Sequence, residues 1–91
     1  MVGARRRGGV LVALRLRFFA QCADWAGRRE MEVSVGHPRA LTAVLRELPA
    51  LAPLLAHQDN LKVAVNCEYA PFDAEVQDGD EVAFMPPFSG G

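Results

Sequence analysis

Residues 86–91, with the sequence PPFSGG, carry the most specific chemical signal in the chain. Proline has no backbone N–H with which to extend a sheet and favours an extended polyproline conformation, so Pro86 and Pro87 direct the chain away from the body. At about 3.3 Å per residue this segment reaches roughly 20 Å, which is far enough to enter a deep pocket of another protein. We therefore predict a flexible C-terminal tail over residues 86–91.

Gly90 and Gly91 lack a Cβ atom, so their backbone can pass through a channel too narrow for other residues, and the terminal carboxylate is unshielded. Ordering such residues costs about 1–2 kcal/mol each, and burying Phe88 or Met85 in a partner groove returns about 1.5–3 kcal/mol apiece. A carboxylate must be activated before it reacts with a nucleophile, and the sequence contains no glycine-rich phosphate-binding loop. We therefore predict that a partner protein activates Gly91.

The other residue types that support catalysis are isolated in the sequence. His37 and His57 are not accompanied by a serine and acid set, and no paired metal ligands are visible. Cys22 and Cys67 are too far apart for a metal-binding spacing, and neither has a basic cluster nearby. We expect both cysteines to be free thiols and expect no metal site.

Composition and charge limit the possible partners. The chain has 91 residues, of which 51% are hydrophobic and 23% charged, as in a single globular domain. Half of its basic residues precede residue 20 and all acidic residues follow it, so an acidic body argues against nucleic-acid binding. Residues 1–9 are predicted to be a flexible leader. Arg15 and Arg17 interrupt the only apolar stretch near the start, so we expect no signal peptide and a cytoplasmic location.

Alternating apolar residues predict strands at 10–20 and 29–35, joined by a short helical turn at 21–27, and their closeness in sequence favours an antiparallel pair. Pro38 suits the first turn of a helix. Four apolar residues then recur at helical spacing, Leu41, Val44, Leu45 and Leu48.

The second half of the chain predicts a helix end and three further strands. Pro49 and Pro53 end the helix, and Leu51, Leu54 and Leu55 extend the core from a short helical segment. Strands follow at 61–65, around Tyr69 and at 81–85, the last after an Asp-Gly-Asp turn, with Phe72 and Val76 as apolar anchors in a loop. We predict an α+β fold with one main helix packed on a mixed sheet.

Residues 78–91, DGDEVAFMPPFSGG, closely resemble the C-terminal signature of the MoaD branch of the MoaD/ThiS sulfur-carrier family. Residues 16–21, LRFFAQ, resemble the first strand of that family, and residues 64–66, AVN, its central strand and turn. The likeness spans residues 10–91, and it implies a β-grasp, ubiquitin-like domain over 10–85. Met85 stands where an aromatic residue is frequent, and a flexible methionine can keep that contact.

The resemblance also implies a mechanism. A MoeB-like adenylyltransferase would use ATP and magnesium to convert the Gly91 carboxylate to an acyl-adenylate, and a sulfur donor would then give the thiocarboxylate. A MoaE-like large subunit of molybdopterin synthase would receive the tail, and sulfur would pass to cyclic pyranopterin monophosphate during molybdenum cofactor biosynthesis. The chain itself would bind no cofactor and catalyse no reaction alone. Gly91 would carry sulfur, and the preceding residues would contact partners, namely Phe84, Met85, Pro86, Pro87, Phe88, Ser89 and Gly90.

Three alternatives remain open at this point. The chain could carry sulfur for thiamine or another sulfur metabolite, although the proline pair favours the molybdopterin branch. It could also be a ubiquitin-like protein modifier, joined through Gly91 to lysines of target proteins, or an interaction module that uses its sheet.

Overall fold

The computed structural model describes the backbone of residues 5–7 and 10–87 and the side chains of residues 13–87. Short strands and helices alternate through this part of the chain. The strands are β1 (Arg5–Arg7), β2 (Val10–Val12), β3 (Leu14–Phe18), β4 (Glu30–Val33), β5 (Arg39–Ala40), β6 (Lys62–Val65), β7 (Glu68–Ala70), β8 (Glu75–Val76) and β9 (Glu81–Met85). The α-helices are α1 (Gln21–Ala26), α2 (Leu41–Arg46) and α3 (Ala52–Ala56), and 3-10 turns span Pro49–Leu51 and Gln58–Asn60.

Five strands form the main sheet in the order β4-β3-β9-β6-β7. The two central strands, β3 and β9, come from opposite ends of the chain and run parallel, whereas all other neighbours in this sheet are antiparallel. A parallel pair needs a crossover connection, and the helices between β4 and β6 lie within it. The result is the mixed sheet with helices that the β-grasp prediction requires.

Strand β3 shows why this sheet buries one face only. Leu14, Leu16 and Phe18 are buried, and Arg15 and Arg17 between them are exposed, because successive side chains in a strand point to opposite faces. The same alternation in β9 buries Val82 and Phe84. We call the buried side, which packs against the helices, the inner face of the sheet and the opposite side the outer face.

The helical region buries a leucine-rich surface against the inner face. Leu41, Leu45, Leu51 and Leu54 are each at most 1% exposed, and all belong to one continuous core cluster. The helical spacing of Leu41 and Leu45 predicts this packing. Leu51 lies in the 3-10 turn that begins at Pro49, and Leu54 lies in α3, which also has a proline in its first turn.

The main helix begins three residues later than predicted. Pro38 precedes β5, in which Arg39 pairs with Val76 of β8, and the helix starts only at Leu41. Leu48 is buried beyond the helix end. The prediction of a helix from Pro38 and of a loop at Val76 is therefore wrong, because pairing of β5 with β8, distant in sequence, overrides the local pattern.

The first predicted strand, residues 10–20, is divided in the structure. It consists of β2 and β3 with Ala13 between them, and it ends at Phe18. Strand β2 pairs with β1 in a separate two-stranded sheet, so residues 5–7 of the predicted leader form a strand. The second predicted strand is shorter than expected, at Glu30–Val33.

Side-chain hydrogen bonds connect the two turns that flank the start of β9. The Asn66 side chain donates to Asp80 at 3.0 Å and accepts from the backbone N–H of Glu81 at 3.0 Å. Asn66 has a positive φ of 51°, a conformation that asparagine tolerates better than most residues. These bonds hold the β6–β7 turn against the predicted Asp-Gly-Asp turn and place β9 between its neighbours.

Candidate functional site

The end of β9 holds the start of the predicted tail in a defined position. Phe84 is completely buried, stacked on Phe18 with ring centroids 5.4 Å apart and in edge contact with Phe72 at 6.1 Å. Its carbonyl accepts a hydrogen bond of 2.9 Å from the backbone N–H of Phe19. The chain therefore leaves the domain from a point that both the core and the sheet hydrogen bonds restrain.

Phe84 is consequently a core residue, and its burial does not fit the predicted side-chain contact with a partner. A side chain with no exposed surface cannot contact a partner while the domain stays folded. Both Phe84 and its neighbour Met85 are apolar, so their composition does not say which of them faces inward. The structure places Phe84 inward because it pairs with Val63 and Phe18 on the inner face.

Three of the residues predicted to contact partners lie where the chain leaves the domain at the end of β9. Met85 lies half-buried on the outer face, Pro86 is half-buried, and Pro87 is exposed. We call these three residues the base of the tail. Phe88, Ser89, Gly90 and Gly91 lie outside the residues that the structure describes, so their predicted roles stay predictions.

A row of residues crosses the outer face beside the base of the tail. The strand register places Tyr69, Ala64, Ala83, Arg17 and Glu30 directly opposite one another across five strands. Directly opposed residues in a sheet present their side chains on the same face. Sequence reasoning missed this row, although the alternation in each strand places its members on the face opposite the core.

The outer face has one charged half and one apolar half. On the charged half, Arg15 lies 3.4 Å from Glu32 and Arg17 lies 3.5 Å from Glu81. All four side chains are at least one third exposed, so each pair contributes about 0–1 kcal/mol to stability. The apolar half lies over β9, β6 and β7. The small side chains of Ala64 and Ala83 lie at its centre.

The apolar half contains a depression of about 320 Å³ next to the base of the tail. Its floor and walls are Ala64, Cys67, Tyr69, Ala83 and Met85. Tyr69 is 75% exposed, the larger exposed fraction of the two exposed large hydrophobic side chains among the described residues. We call these five residues the apolar depression.

The two cysteines differ sharply in their surroundings. Both are free thiols, as predicted. Cys22 is buried in the core, and burial raises the pKa of its thiol. Cys67 is exposed in the β6–β7 turn. A thiol with a raised pKa forms little thiolate at neutral pH, so Cys22 is the less reactive of the two.

The histidines and acidic residues assemble no metal-binding set in the described part of the chain. His57 stacks on Trp25 with ring centroids 4.2 Å apart, and His37 lies exposed in the loop after β4. Across residues 13–87, no group of three or more His, Cys, Asp or Glu side chains could hold a metal ion. Among the described helices, none is long and apolar enough to cross a membrane.

Comparisons with known proteins agree with this geometry. The ThiS family matches residues 16–91. The molybdopterin synthase sulfur carrier subunit of Escherichia coli K12 is 37% identical over 81 residues, covering 86% of this chain and 99% of that protein. The protein of the same name from Chlamydomonas reinhardtii is 35% identical over 81 residues, covering 86% of this chain and 98% of its own.

Among solved structures, SAMP1 of Haloferax volcanii, small archaeal modifier protein 1, has a similar fold. It superposes with a TM-score of 0.69 at 28% identity, covering 87% of this chain and 99% of that one. The likeness confirms the β-grasp, ubiquitin-like fold. The match begins within β3, takes in all of β9 and continues through the segment that carries the tail signature. The chain belongs to the ThiS family, the MoaD/ThiS sulfur carriers that its C-terminal segment resembles.

Proposed function

We propose that this chain is the sulfur carrier subunit of a molybdopterin synthase and that its Gly91 carboxylate is the group that carries sulfur. The observation that supports this most strongly is the identity of 37% with a relative of that name over 86% of this chain and 99% of that protein. The restrained exit of β9 is consistent with this role, since a rigid domain can present a narrow tail to another protein.

The reaction sequence follows from the chemistry of a carboxylate. An oxygen of the Gly91 carboxylate attacks the α-phosphate of ATP, pyrophosphate leaves, and an acyl-adenylate forms. Sulfide from a sulfur donor then adds to the acyl carbon and expels AMP, which leaves a thiocarboxylate. A MoeB-like adenylyltransferase supplies the ATP and magnesium site. The described part of this chain contributes no catalytic group to either step.

A MoaE-like catalytic subunit takes the charged tail and transfers its sulfur to cyclic pyranopterin monophosphate. At the base of the tail Pro87 is exposed and Met85 is half-buried, and such a subunit would meet the domain there. Gly90 would thread the narrow part of the channel, because the absence of a Cβ atom lets two backbones approach closely. Both partners and this chain would meet in the cytoplasm.

The intact mass of the carrier tests the first half of this proposal. After incubation with the adenylyltransferase, ATP and sulfide, we expect the mass gain of one oxygen-to-sulfur exchange, located at Gly91 by fragmentation. A variant lacking Gly91 serves as the control and should not gain this mass. Efficient exchange in the truncated variant would overturn the assignment of Gly91.

The acceptor is tested separately with the thiocarboxylated protein. Mixing it with the catalytic subunit and cyclic pyranopterin monophosphate should yield molybdopterin. Failure with this acceptor, combined with sulfur transfer in a thiamine thiazole-forming system, would instead place the chain in another sulfur pathway.

A second candidate function rests on the likeness to small archaeal modifier protein 1. If this chain is a protein modifier, Gly91 becomes joined to lysine side chains of other proteins. Mass spectrometry of cell extracts would then reveal isopeptide-linked Gly91 conjugates. Such conjugates in the absence of any thiocarboxylated form would favour the modifier over the sulfur carrier.

A further inference from the structure

The corner that joins β3 to α1 lies beside the exit of the chain from β9. The register between β3 and β9 ends at the pair of Phe18 and Phe84. One more hydrogen bond extends it, from the backbone N–H of Phe19 to the Phe84 carbonyl at 2.9 Å. The base of the tail follows directly, and its two prolines have no backbone N–H to donate. The position of the Phe19 N–H therefore sets the point at which the tail leaves the sheet.

The residue after Phe19 has a backbone conformation that is rare outside glycine. Ala20 has φ 52° and ψ −129°, and the Cys22 N–H donates to the Phe19 carbonyl at 3.0 Å, which closes a turn around it. These angles lie within about 10° of the first central position of a type II′ turn, at which glycine is the usual residue. They also lie outside the left-handed helical region, so the Cβ atom of an L-residue is strained there.

Burial of the side chain does not explain why an alanine occupies this position. Ala20 is exposed, so its methyl group contributes little to the core. Its neighbours, by contrast, are fixed on both sides. Phe18 is 3% exposed and its N–H donates to the Arg29 carbonyl at 2.8 Å, and Cys22 is fully buried. A strained residue persists only where the surrounding structure leaves it no alternative, and strain of this kind is often found at functional sites.

We propose that Ala20 is a positioning residue for the sulfur-carrying tail. Its Cβ atom excludes most of the backbone angles that glycine would sample, so the turn holds the Phe19 N–H toward β9. The Phe84 carbonyl, and the tail after it, are thereby kept in one direction. A tail that leaves in one direction loses less entropy when a partner binds it, so Ala20 favours binding without touching the partner. This inference rests on the proposed function, since it takes the tail to be the segment that the partner binds.

The kinetics of adenylation test this role in the variant Ala20→Gly. Release of pyrophosphate, with the full-length carrier, the MoeB-like adenylyltransferase and ATP, gives kcat and the KM for the carrier. Glycine adopts the turn without strain, so the midpoint of urea unfolding should stay equal or rise. Its greater freedom should nevertheless raise KM about two- to fivefold and leave kcat unchanged. A residue with only a structural role would change stability and leave KM at the parent value.

The matched control is Ala56→Gly, which removes the same methyl group from an exposed position at the end of α3. It should lower the unfolding midpoint, because glycine is a poor helix former, and it should keep the parent KM. The two variants therefore separate stability from tail positioning, since each should change the quantity that the other leaves alone.

Hydrogen exchange of the Phe19 amide, followed by NMR, shows whether the effect passes through its bond to Phe84. Exchange should be faster in Ala20→Gly than in the parent protein. A protein with D-alanine in place of Ala20, made by ligation at Cys22, keeps a Cβ atom and adopts a positive φ without strain. It should retain the slow exchange and a KM no higher than that of the parent.

A parent-like KM of Ala20→Gly, or a raised KM without faster exchange at Phe19, would overturn the proposal. So would a D-alanine protein whose KM is as high as that of Ala20→Gly. Failure of the proposed function looks different, because the parent protein itself would then release no pyrophosphate or, once adenylated, accept no sulfur at Gly91.

Discussion

Replacing Phe84 with leucine tests whether this residue belongs to the core or to a contact surface. Its ring is completely buried and forms two aromatic pairs, with Phe18 at 5.4 Å and with Phe72 at 6.1 Å. Each such pair is worth about 0.5–1.5 kcal/mol beyond the buried area. A nearly volume-conserving swap adds a cost below about 1.5 kcal/mol. We therefore expect Phe84→Leu to lower the free energy of unfolding by about 2–3 kcal/mol.

That loss is a large part of the stability of a small domain, which is typically about 5–15 kcal/mol. It should lower the thermal midpoint by about 10 °C or more in a domain of this size. Urea unfolding followed by fluorescence is a suitable assay, because Trp25 is the single tryptophan and lies stacked on His57 at 4.2 Å. Its environment changes when the domain unfolds.

Met85→Leu is the matched control for this measurement. Met85 neighbours Phe84 but lies half-buried on the outer face, so the change should alter the free energy of unfolding by less than about 0.5 kcal/mol. An unfolding midpoint of Phe84→Leu equal to that of the parent protein would refute the reasoning. Equal losses in the two variants would also refute it, since burial would then not distinguish these neighbours.

Two further predictions follow from the buried thiol and from the turn before β9. Native protein should take up one equivalent of iodoacetamide, at Cys67, and its intact mass should show a single addition. The reason is that burial raises the pKa of the Cys22 thiol and limits access to it. Asp78→Ala should lower the free energy of unfolding, measured by urea denaturation, by about 1–3 kcal/mol. The Asp78 carboxylate accepts hydrogen bonds from the backbone N–H groups of Val35 at 2.9 Å and Gly36 at 3.2 Å, and both would be lost.

Each of these predictions has its own control. For alkylation, protein unfolded in urea should add the label at both cysteines, and two additions on the native protein would contradict the burial of Cys22. For the turn, Asp73→Ala changes an exposed carboxylate nearby and should cost less than about 0.5 kcal/mol. If Asp73→Ala were as destabilising as Asp78→Ala, the loss could not be assigned to the two hydrogen bonds.

Local patterns in the sequence predicted several elements closely. The last strand was predicted at 81–85 and is observed at Glu81–Met85, after the predicted Asp-Gly-Asp turn. The antiparallel pairing of β3 with β4 is also confirmed. These features depend on alternation and on turn residues only a few positions apart, so the residues themselves carry the information.

Features that depend on distant contacts were predicted less well. The helix begins at Leu41 and not at Pro38, because β5 is held by β8 some 35 residues later in the chain. The parallel pairing of β3 with β9 joins the two ends of the domain, and no local pattern specifies it. Loss of chain entropy opposes such contacts, and they form only when the complete core compensates for that loss.

The sequence by itself determined the alternation of each strand, and it carries the tail signature over which the family match continues. The extended tail and its carboxylate stay predictions, because residues 88–91 lie outside the described residues. Only the tertiary structure decided which side of β9 is buried. Phe84 and Met85 are neighbours and both are apolar. Phe84 lies on the inner face, where it packs against Phe18 and Phe72, and Met85 lies on the outer face beside Tyr69. The physical reason is that a strand presents two faces with equal ease, and the elements packed against it select the face that loses contact with water.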